Sequence, residues 1–232
     1  MPLMGEPVTR RTLLSWSTGK DSAWALQVLR QDPSHDVAGL FCTVNKAFDR
    51  VAMHGVRVEL LRRQAAATGL PLRLVEIPDP CSNEQYAQAM QGLVAAARQD
   101  GIGCFAFGDL FLDDIRSYRE HSLRGTGIEA AFPLWGRPTR ELAQSMIDGG
   151  LRAVISCVDP KRIPADRCGL DFDAAFVAGL PAGVDPCGEH GEFHSFAFDG
   201  PMFRRPVEIT VGETVERGGF VFTDLLPAHA TR

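Results

Sequence analysis

Leu13-Leu14-Ser15-Trp16-Ser17-Thr18-Gly19-Lys20-Asp21-Ser22 decides how this chain is read. The apolar run Leu13–Trp16 predicts a strand, and Ser17–Ser22 a small, polar, glycine-containing turn that opens a helix over Ala23–Arg30. A turn of this kind presents backbone N–H groups at the positive end of a helix dipole, which suits a phosphate chain. Lys20 adds a full positive charge, and Ser17, Thr18 and Ser22 add hydroxyls. The run is not a Walker loop, which needs a Gly five residues before its Gly-Lys pair and a Ser or Thr after it. Here Leu14 and Asp21 fill those places. The expectation is a protein that handles a nucleotide; the competing reading is an ordinary helix cap.

Four strand–helix units follow one another from this point. Val37–Val44 leads to a helix near Val51–Thr68, and Leu72–Ile77 to Asn83–Arg98, where Tyr86, Met90, Leu93, Val94 and Ala97 give an apolar helical face. Cys104–Phe107 leads to a polar helix near Ile115–Arg124. Such alternation predicts an α/β protein with a doubly wound, mainly parallel sheet. In such sheets ligands settle at the carboxyl ends of the strands, where the strand order reverses. The turn after Trp16 and the pair Gly108-Asp109 both fall on that rim.

The second half differs. A helix at Thr139–Ile147 precedes a β-run, Ala153–Val158, then a Pro/Gly/Asp-rich stretch from Asp159 to Gly191. The tail reads as β: Phe193–Phe198, Val207–Val215 and Gly219–Leu225, with a hairpin turn at Glu216–Gly219. We therefore expect two domains, residues 1–128 and a smaller α+β domain over residues 129–232. Gly125-Thr126-Gly127-Ile128-Glu129-Ala130 matches a dinucleotide fingerprint formally, but it follows a helix rather than a strand.

Bulk properties narrow the function classes. The 232 residues are 45% apolar and 23% charged, enough to bury a core without disulfides or metal. A net charge of −5 argues against broad nucleic-acid binding. The six cysteines form no Cys-x-x-Cys pair, which disfavours a zinc ribbon or dithiol site. Met1–Arg11 lacks the apolar core of a signal peptide and no run is long enough to cross a bilayer, so the expected location is the cytoplasm, with no membrane partner.

The sharpest feature of the second half is Asp185-Pro186-Cys187-Gly188-Glu189-His190-Gly191-Glu192-Phe193-His194-Ser195-Phe196, followed by Asp199-Gly200-Pro201. Glycines bracket carboxylates and histidines at the entry to a strand, as in part of a site wall or in a plain turn with a solvated strand face. Alternation puts Glu192, His194 and Phe196 on one side of that strand. His190 and His194 invite a zinc reading, but the pattern is not His-Glu-x-x-His and the glycines disfavour the helix that motif requires.

Ser17-Thr18-Gly19-Lys20-Asp21-Ser22 resembles the loop of the ATP pyrophosphatases (PP-loop), usually Ser-Gly-Gly-x-Asp-Ser. Together with His54-Gly55-Val56, Gln64-Ala65, Gly108-Asp109, Arg116, Pro133-Leu134-Trp135, Gly188-Glu189-His190-Gly191-Glu192-Phe193 and Asp199-Gly200-Pro201, it is similar to the diphthine–ammonia ligase family over nearly the whole chain. That family is an adenine-nucleotide α-hydrolase branch of the ATP pyrophosphatases, and this chain looks like a bacterial-type homologue. The resemblance implies a Rossmann-like, HUP-type nucleotide domain followed by a smaller domain carrying Gly-Glu-x-Gly-Glu. It also implies that ATP activates a carboxylate as an acyl-adenylate, releasing pyrophosphate, and that ammonia or an amine then displaces AMP. Thr18 departs from the usual second Gly, and Gly108-Asp109 from the pair that characterised ligases often carry.

On this reading the N–H groups of Thr18, Gly19, Lys20, Asp21 and Ser22, with the Ser17 and Ser22 hydroxyls, hold the pyrophosphate, and Lys20 neutralises it. Asp21 beside phosphates implies Mg²⁺, bound in part through water, unless it only complements the helix terminus. Asp109 bonds ribose or the same Mg²⁺, or is a turn aspartate; Arg116 reaches a phosphate or the substrate carboxylate, or is solvated. His54 joins the nucleotide site by family pattern, whereas chemistry alone gives a capping or packed histidine. Glu189 and Glu192 are the candidates for an acid/base or metal-ligand role; burial would move a glutamate toward a pKa useful for a base. Two rival functions are a nucleotide sensor that closes without chemistry, and a tRNA-modifying PP-loop enzyme. The second is disfavoured by the acidic balance and unpaired cysteines.

Overall fold

The computed structural model describes residues 9–47, 50–51 and 55–228. Alternating side chains on short apolar runs make the central sheet: β1 (Arg10–Ser15), β2 (His35–Asn45), β4 (Leu72–Ile77), β5 (Cys104–Ala106) and β6 (Glu129–Ala131). These run parallel in the order β4-β2-β1-β5-β6, with Leu14 opposite both Leu40 and Ala106. The two-residue β3 (Arg50–Val51) adds antiparallel to the end of β2.

Successive residues of each strand face opposite layers. On one face Leu14, Leu40 and Ala106 pack with Leu26 and Leu29 of α1 (Lys20–Gln31) and Leu60 and Leu61 of α2 (Val58–Thr68). On the other, Leu13, Phe41 and Phe105 pack with Leu93 and Ala97 of α3 (Asn83–Gln99) and Leu123 of α4 (Asp113–Leu123). Helices on both faces make the sheet doubly wound, as expected. The chain winds from β1 to β2 and β4, then crosses back to β5 on the other side of β1. The loop leaving β1 therefore opens at the reversal point, where such folds bind ligands.

A second, antiparallel sheet follows in the order β8-β7-β10-β9: β7 (Arg152–Val158), β8 (Phe193–Asp199), β9 (Ile209–Arg217) and β10 (Phe220–Pro227). α5 (Thr139–Asp148) and the short α6 (Ala174–Ala178) accompany it, giving the smaller α+β unit. Gly218 and Gly219, with φ of 59° and 82°, form the two-residue turn between β9 and β10, for which left-handed backbone at both positions is required. Phe193, Phe196, Val154 and Met146 join the same buried cluster as Leu14 and Leu26, so the second sheet packs onto the α1 side of the first.

Two segments depart from the expected elements. The helix read from Val51 starts at Val58, because Val51 pairs with Val44 and Gly55 turns the chain at φ 67°. The Gly125–Ala130 run leads into β6 instead of out of a strand, so it lacks the strand–turn–helix setting of a dinucleotide fingerprint.

Candidate active site

The turn after β1 is tied by its own hydroxyls. Ser17 Oγ lies 3.1 Å from Ser22 Oγ and accepts from Gly19 N–H at 3.3 Å, while Ser22 Oγ donates to the Gly19 carbonyl at 3.0 Å. Between them Thr18 has φ 72°, a conformation costly for a β-branched residue and free for glycine. Tertiary bonds impose it. The Thr18 carbonyl accepts from Gln64 Nε2 (2.9 Å) and Ala197 N–H (2.9 Å), and buried Gln64 also donates to Ala197 O (2.6 Å) and accepts from Trp16 Nε1 (2.8 Å). Gln64, which entered through its place in the sequence pattern, thus locks the turn from α2 while β8 locks it from the second sheet.

Asp21 and Ser22 lie in the first turn of α1, where backbone N–H groups have no intrahelical acceptor. Lys20 N–H donates to Ser195 Oγ at 3.2 Å. The Lys20 side chain, 2% exposed, turns inward: Nζ donates to Asp21 Oδ2 at 2.8 Å and to the Cys187 carbonyl, and sits 5.0 Å above the Phe193 ring. Burial pulls its pKa down most, but Asp21, Cys187 and Glu189 together more than reverse this, so the ammonium stays charged. Burial raises the Asp21 carboxyl, with Lys20 opposing. Asp21 Oδ1 is buried with no hydrogen-bond partner among the described residues.

Gly108 stands where a Cβ would lie 3.1 Å from the backbone of both Asp21 and Ser22. Its missing side chain therefore lets the end of β5 close on the start of α1. Asp109 follows, raised by burial with Arg119 opposing; its Oδ2 lies 3.5 Å from Arg119 Nε, and neither atom makes a hydrogen bond among the described residues. Glu189 completes the wall. Its Oε1 accepts from Leu110 N–H at 2.7 Å, and burial pushes its pKa up to about 7, with the Leu110 bond and Lys20 pulling down and Asp21 and Asp109 pushing up. Burial, with Lys20 nearby, holds His194 down at about 4, so this imidazole is neutral at pH 7. Cys187, its thiol pushed up to about 12 by burial, is no nucleophile.

These residues surround one cavity of about 490 Å³ at the reversal point. Ser17, Gly19, Lys20, Asp21, Ser22, Gly108, Asp109 and Glu189 line it; Thr18, Arg116 and Glu192 do not. Arg116 turns away, its Nε bonded to Glu120 Oε1 at 2.8 Å and its guanidinium 4.8 Å above the Trp135 ring. One turn along the same helix, Arg119 faces the cavity, and sequence reasoning missed it. Ser195 and His194 also line the cavity without having been assigned a role. His54 lies outside the described residues.

Glu192, 1% exposed, accepts from Asp185 N–H (3.1 Å) and His190 N–H (3.0 Å). It organises the loop that carries Glu189. Glu192→Ala should cost about 2–4 kcal/mol in urea unfolding, since two part-buried N–H groups of the loop lose a charged acceptor. Glu192→Gln should cost less and keep turnover per folded molecule within threefold. A normally folded Gln variant with turnover down a hundredfold would return Glu192 to the chemistry.

Four carboxylates (Asp21, Asp109, Asp159 and Glu189) face two permanent cations, Lys20 and Arg119, around this cavity. A polyphosphate entering it needs a further cation. Carboxylate oxygens without a hydrogen bond among the described residues, Asp21 Oδ1 and the Asp109 Oδ2 that faces Arg119, fit Mg²⁺, which keeps much of its water and takes few protein ligands. Among the described residues no three His, Cys, Asp or Glu side chains converge as a closed metal site.

The sheet, the turn at its reversal point and the cavity above it define a nucleotide-binding protein of the PP-loop, HUP type. Two family models match: Diphthamide synthase N-terminal domain over residues 10–130 and Diphthamide synthase C-terminal domain over residues 139–224. The chain belongs to this diphthamide synthase family, whose members are ligase-type enzymes. Diphthine–ammonia ligase of Bos taurus is 23% identical over 147 residues, covering 61% of this chain and 55% of that protein. The Mus musculus enzyme is 22% identical (72% of this chain, 64% of that protein), and the Homo sapiens enzyme 23% (67% and 60%). The chain thus spans less than two thirds of the length of these curated relatives. Among the described residues no helix is long and apolar enough to cross a membrane.

Proposed function

We propose that this protein is an AMP-forming ligase that activates a carboxylate with ATP and amidates it with ammonia or an amine. The observation that carries the reading is the convergence of the α1 N-terminus, Asp21, Asp109 and Glu189 on one cavity at the sheet's reversal point. We divide the chain between an ATP-binding domain and a smaller domain in the stretch from Phe132 to Pro138; this lies a few residues beyond the expected 128/129 division, because β6 pairs with β5 in the first sheet.

The free N–H groups of the first turn of α1, with Ser17 and Ser22, hold the pyrophosphate part of ATP. Asp21 and Asp109 would hold Mg²⁺, which neutralises charge gathering on the departing pyrophosphate. A carboxylate oxygen bonds to the α-phosphorus as the bond to the bridging oxygen breaks, giving acyl-adenylate and pyrophosphate. Nitrogen then bonds to the acyl carbon, AMP leaves, and Glu189 takes the proton the nitrogen loses. Lys20 keeps the loop of Cys187–Glu189 docked on the turn, so its charge acts from the cavity wall.

The test is ATP labelled at the α-phosphate with a panel of carboxylic acids, ammonia and Mg²⁺. AMP, with equimolar pyrophosphate, is the expected product. ADP would contradict the reading, and tight ATP binding with no AMP across the panel would mark a sensor instead.

A further inference from the structure

α3 packs against β4 and α4 against β6, and between the two helices, over β5, lies a cavity of about 320 Å³ that the nucleotide site does not use. Its walls are mainly apolar: Met90 and Val94 from α3, Phe105 from β5 and Phe107 just beyond it, Tyr118 from α4. The seventeen-residue α3 fully buries just Leu93 and Ala97, and α4 just Leu123, which is little for helices that flank a sheet. Tyr118, 48% exposed, stands at this opening. The volume is at the small end of the ~300–1,000 Å³ usual for small-molecule sites.

Two cations line the groove, Arg98 and Arg119. Arg119 and Phe107 also line the PP-loop cavity, so the two spaces share a wall. The Arg119 guanidinium lies 4.7 Å above the Phe107 ring, and its buried Nε makes no hydrogen bond among the described residues. A guanidinium held over a ring and beside Asp109, where an apolar groove adjoins a phosphate site, is placed to take a carboxylate.

We propose that the α3–α4 groove binds the apolar body of the carboxylate substrate, and that Arg119, which lines both spaces, holds its carboxylate at their boundary. The inference rests on the ligase reading and narrows its substrate to a small acid with an apolar chain or ring. Arg119, whose Nε lies 3.5 Å from Asp109 Oδ2, pairs with the carboxylate and leaves one oxygen to face the α-phosphorus; the Mg²⁺ that Asp109 would hold offsets the charge of its own carboxylate beside the substrate's.

The test titrates octanoate and 3-phenylpropionate into the full chain by calorimetry, with Mg²⁺ and α,β-methylene-ATP and again without nucleotide. Ala87 is exposed on the groove's rim, so Ala87→Trp fills the groove without disturbing the core. We expect at least one acid to bind, at least tenfold weaker binding in Ala87→Trp and Arg119→Gln, and binding within twofold of wild type in Arg98→Gln. Affinity for the nucleotide analogue should stay within twofold of wild type in Ala87→Trp. Wild-type protein that takes the analogue but neither acid overturns the groove proposal, as does acid binding untouched by Ala87→Trp. Failure of the analogue to bind counts instead against the ligase reading, while the nucleotide-free titration still reads the groove.

Discussion

Lys20→Met should destabilise the protein by about 2–4 kcal/mol in urea and lower AMP formation at least tenfold. The magnitude follows from where the ammonium sits. It is buried between Asp21, the Cys187 carbonyl and the Phe193 and Phe172 rings, so its removal strands a carboxylate that is a quarter exposed. A fully buried pair would cost about 3–5 kcal/mol to break, and partial exposure of Asp21 reduces that. Removing both charges should be milder: Lys20→Met with Asp21→Asn should recover more than half of the lost stability. Turnover should nonetheless fall at least a hundredfold in the double variant, because the positive charge in the cavity wall and one carboxylate for Mg²⁺ are both gone. Unfolding midpoints and AMP release on the same three proteins separate the two roles. A double variant as unstable as the single one would show that Lys20 holds the loop by something other than the ion pair. Normal turnover in folded Lys20→Met would take the turn out of the mechanism.

The same residue shows how far the sequence could be read. The strand–turn–helix around Ser17–Ser22 was legible because an apolar run, a polar turn and a helical period lie within twenty residues, all local signals. β4 and the Gly218-Gly219 turn were legible for the same reason. Lys20 was expected to point at phosphate; whether it instead reaches Cys187 depends on β8 lying beside the turn, a contact between residues 167 positions apart. Arg116 and Arg119 sit on one helix, three residues apart, and only the docking of α4 beside β5 decides which meets Asp109. β6 has three residues and holds its place through pairing with β5, too short a run for any period to appear. Glu189 and Glu192 looked equivalent because both follow a glycine. Left-handed Gly188 and Gly191 (φ 71° and 81°) fold the loop so that Glu192 bonds its backbone and Glu189 faces the cavity. Strained Thr18 was visible as a departure from pattern, whereas the Gln64 and Ala197 bonds that impose its conformation join three separate elements.

Glu189→Gln should lower amide formation about 10²- to 10⁴-fold while leaving adenylation largely intact. The variant keeps an oxygen to accept from Leu110 N–H, so the loop should hold its position. What it loses is a proton acceptor poised near neutrality: burial brings Glu189 to about 7, with Asp21 and Asp109 raising it and Leu110 N–H and Lys20 lowering it. A base must be deprotonated to act, so wild-type amidation should rise with pH through about 7 and level off above it. In Glu189→Gln that inflection should vanish, leaving a low and flat profile. Acid-dependent exchange of labelled pyrophosphate into ATP reads the adenylation half alone, and should persist in the variant within about tenfold. The pair of measurements discriminates among the carboxylates of this cavity. If exchange and amidation fall together, Glu189 serves the nucleotide step, as a partner of the cation that Asp21 and Asp109 would hold. If amidation keeps its rise through neutral pH, the proton leaves by another route, and neutral His194 on the same wall becomes the group to replace next.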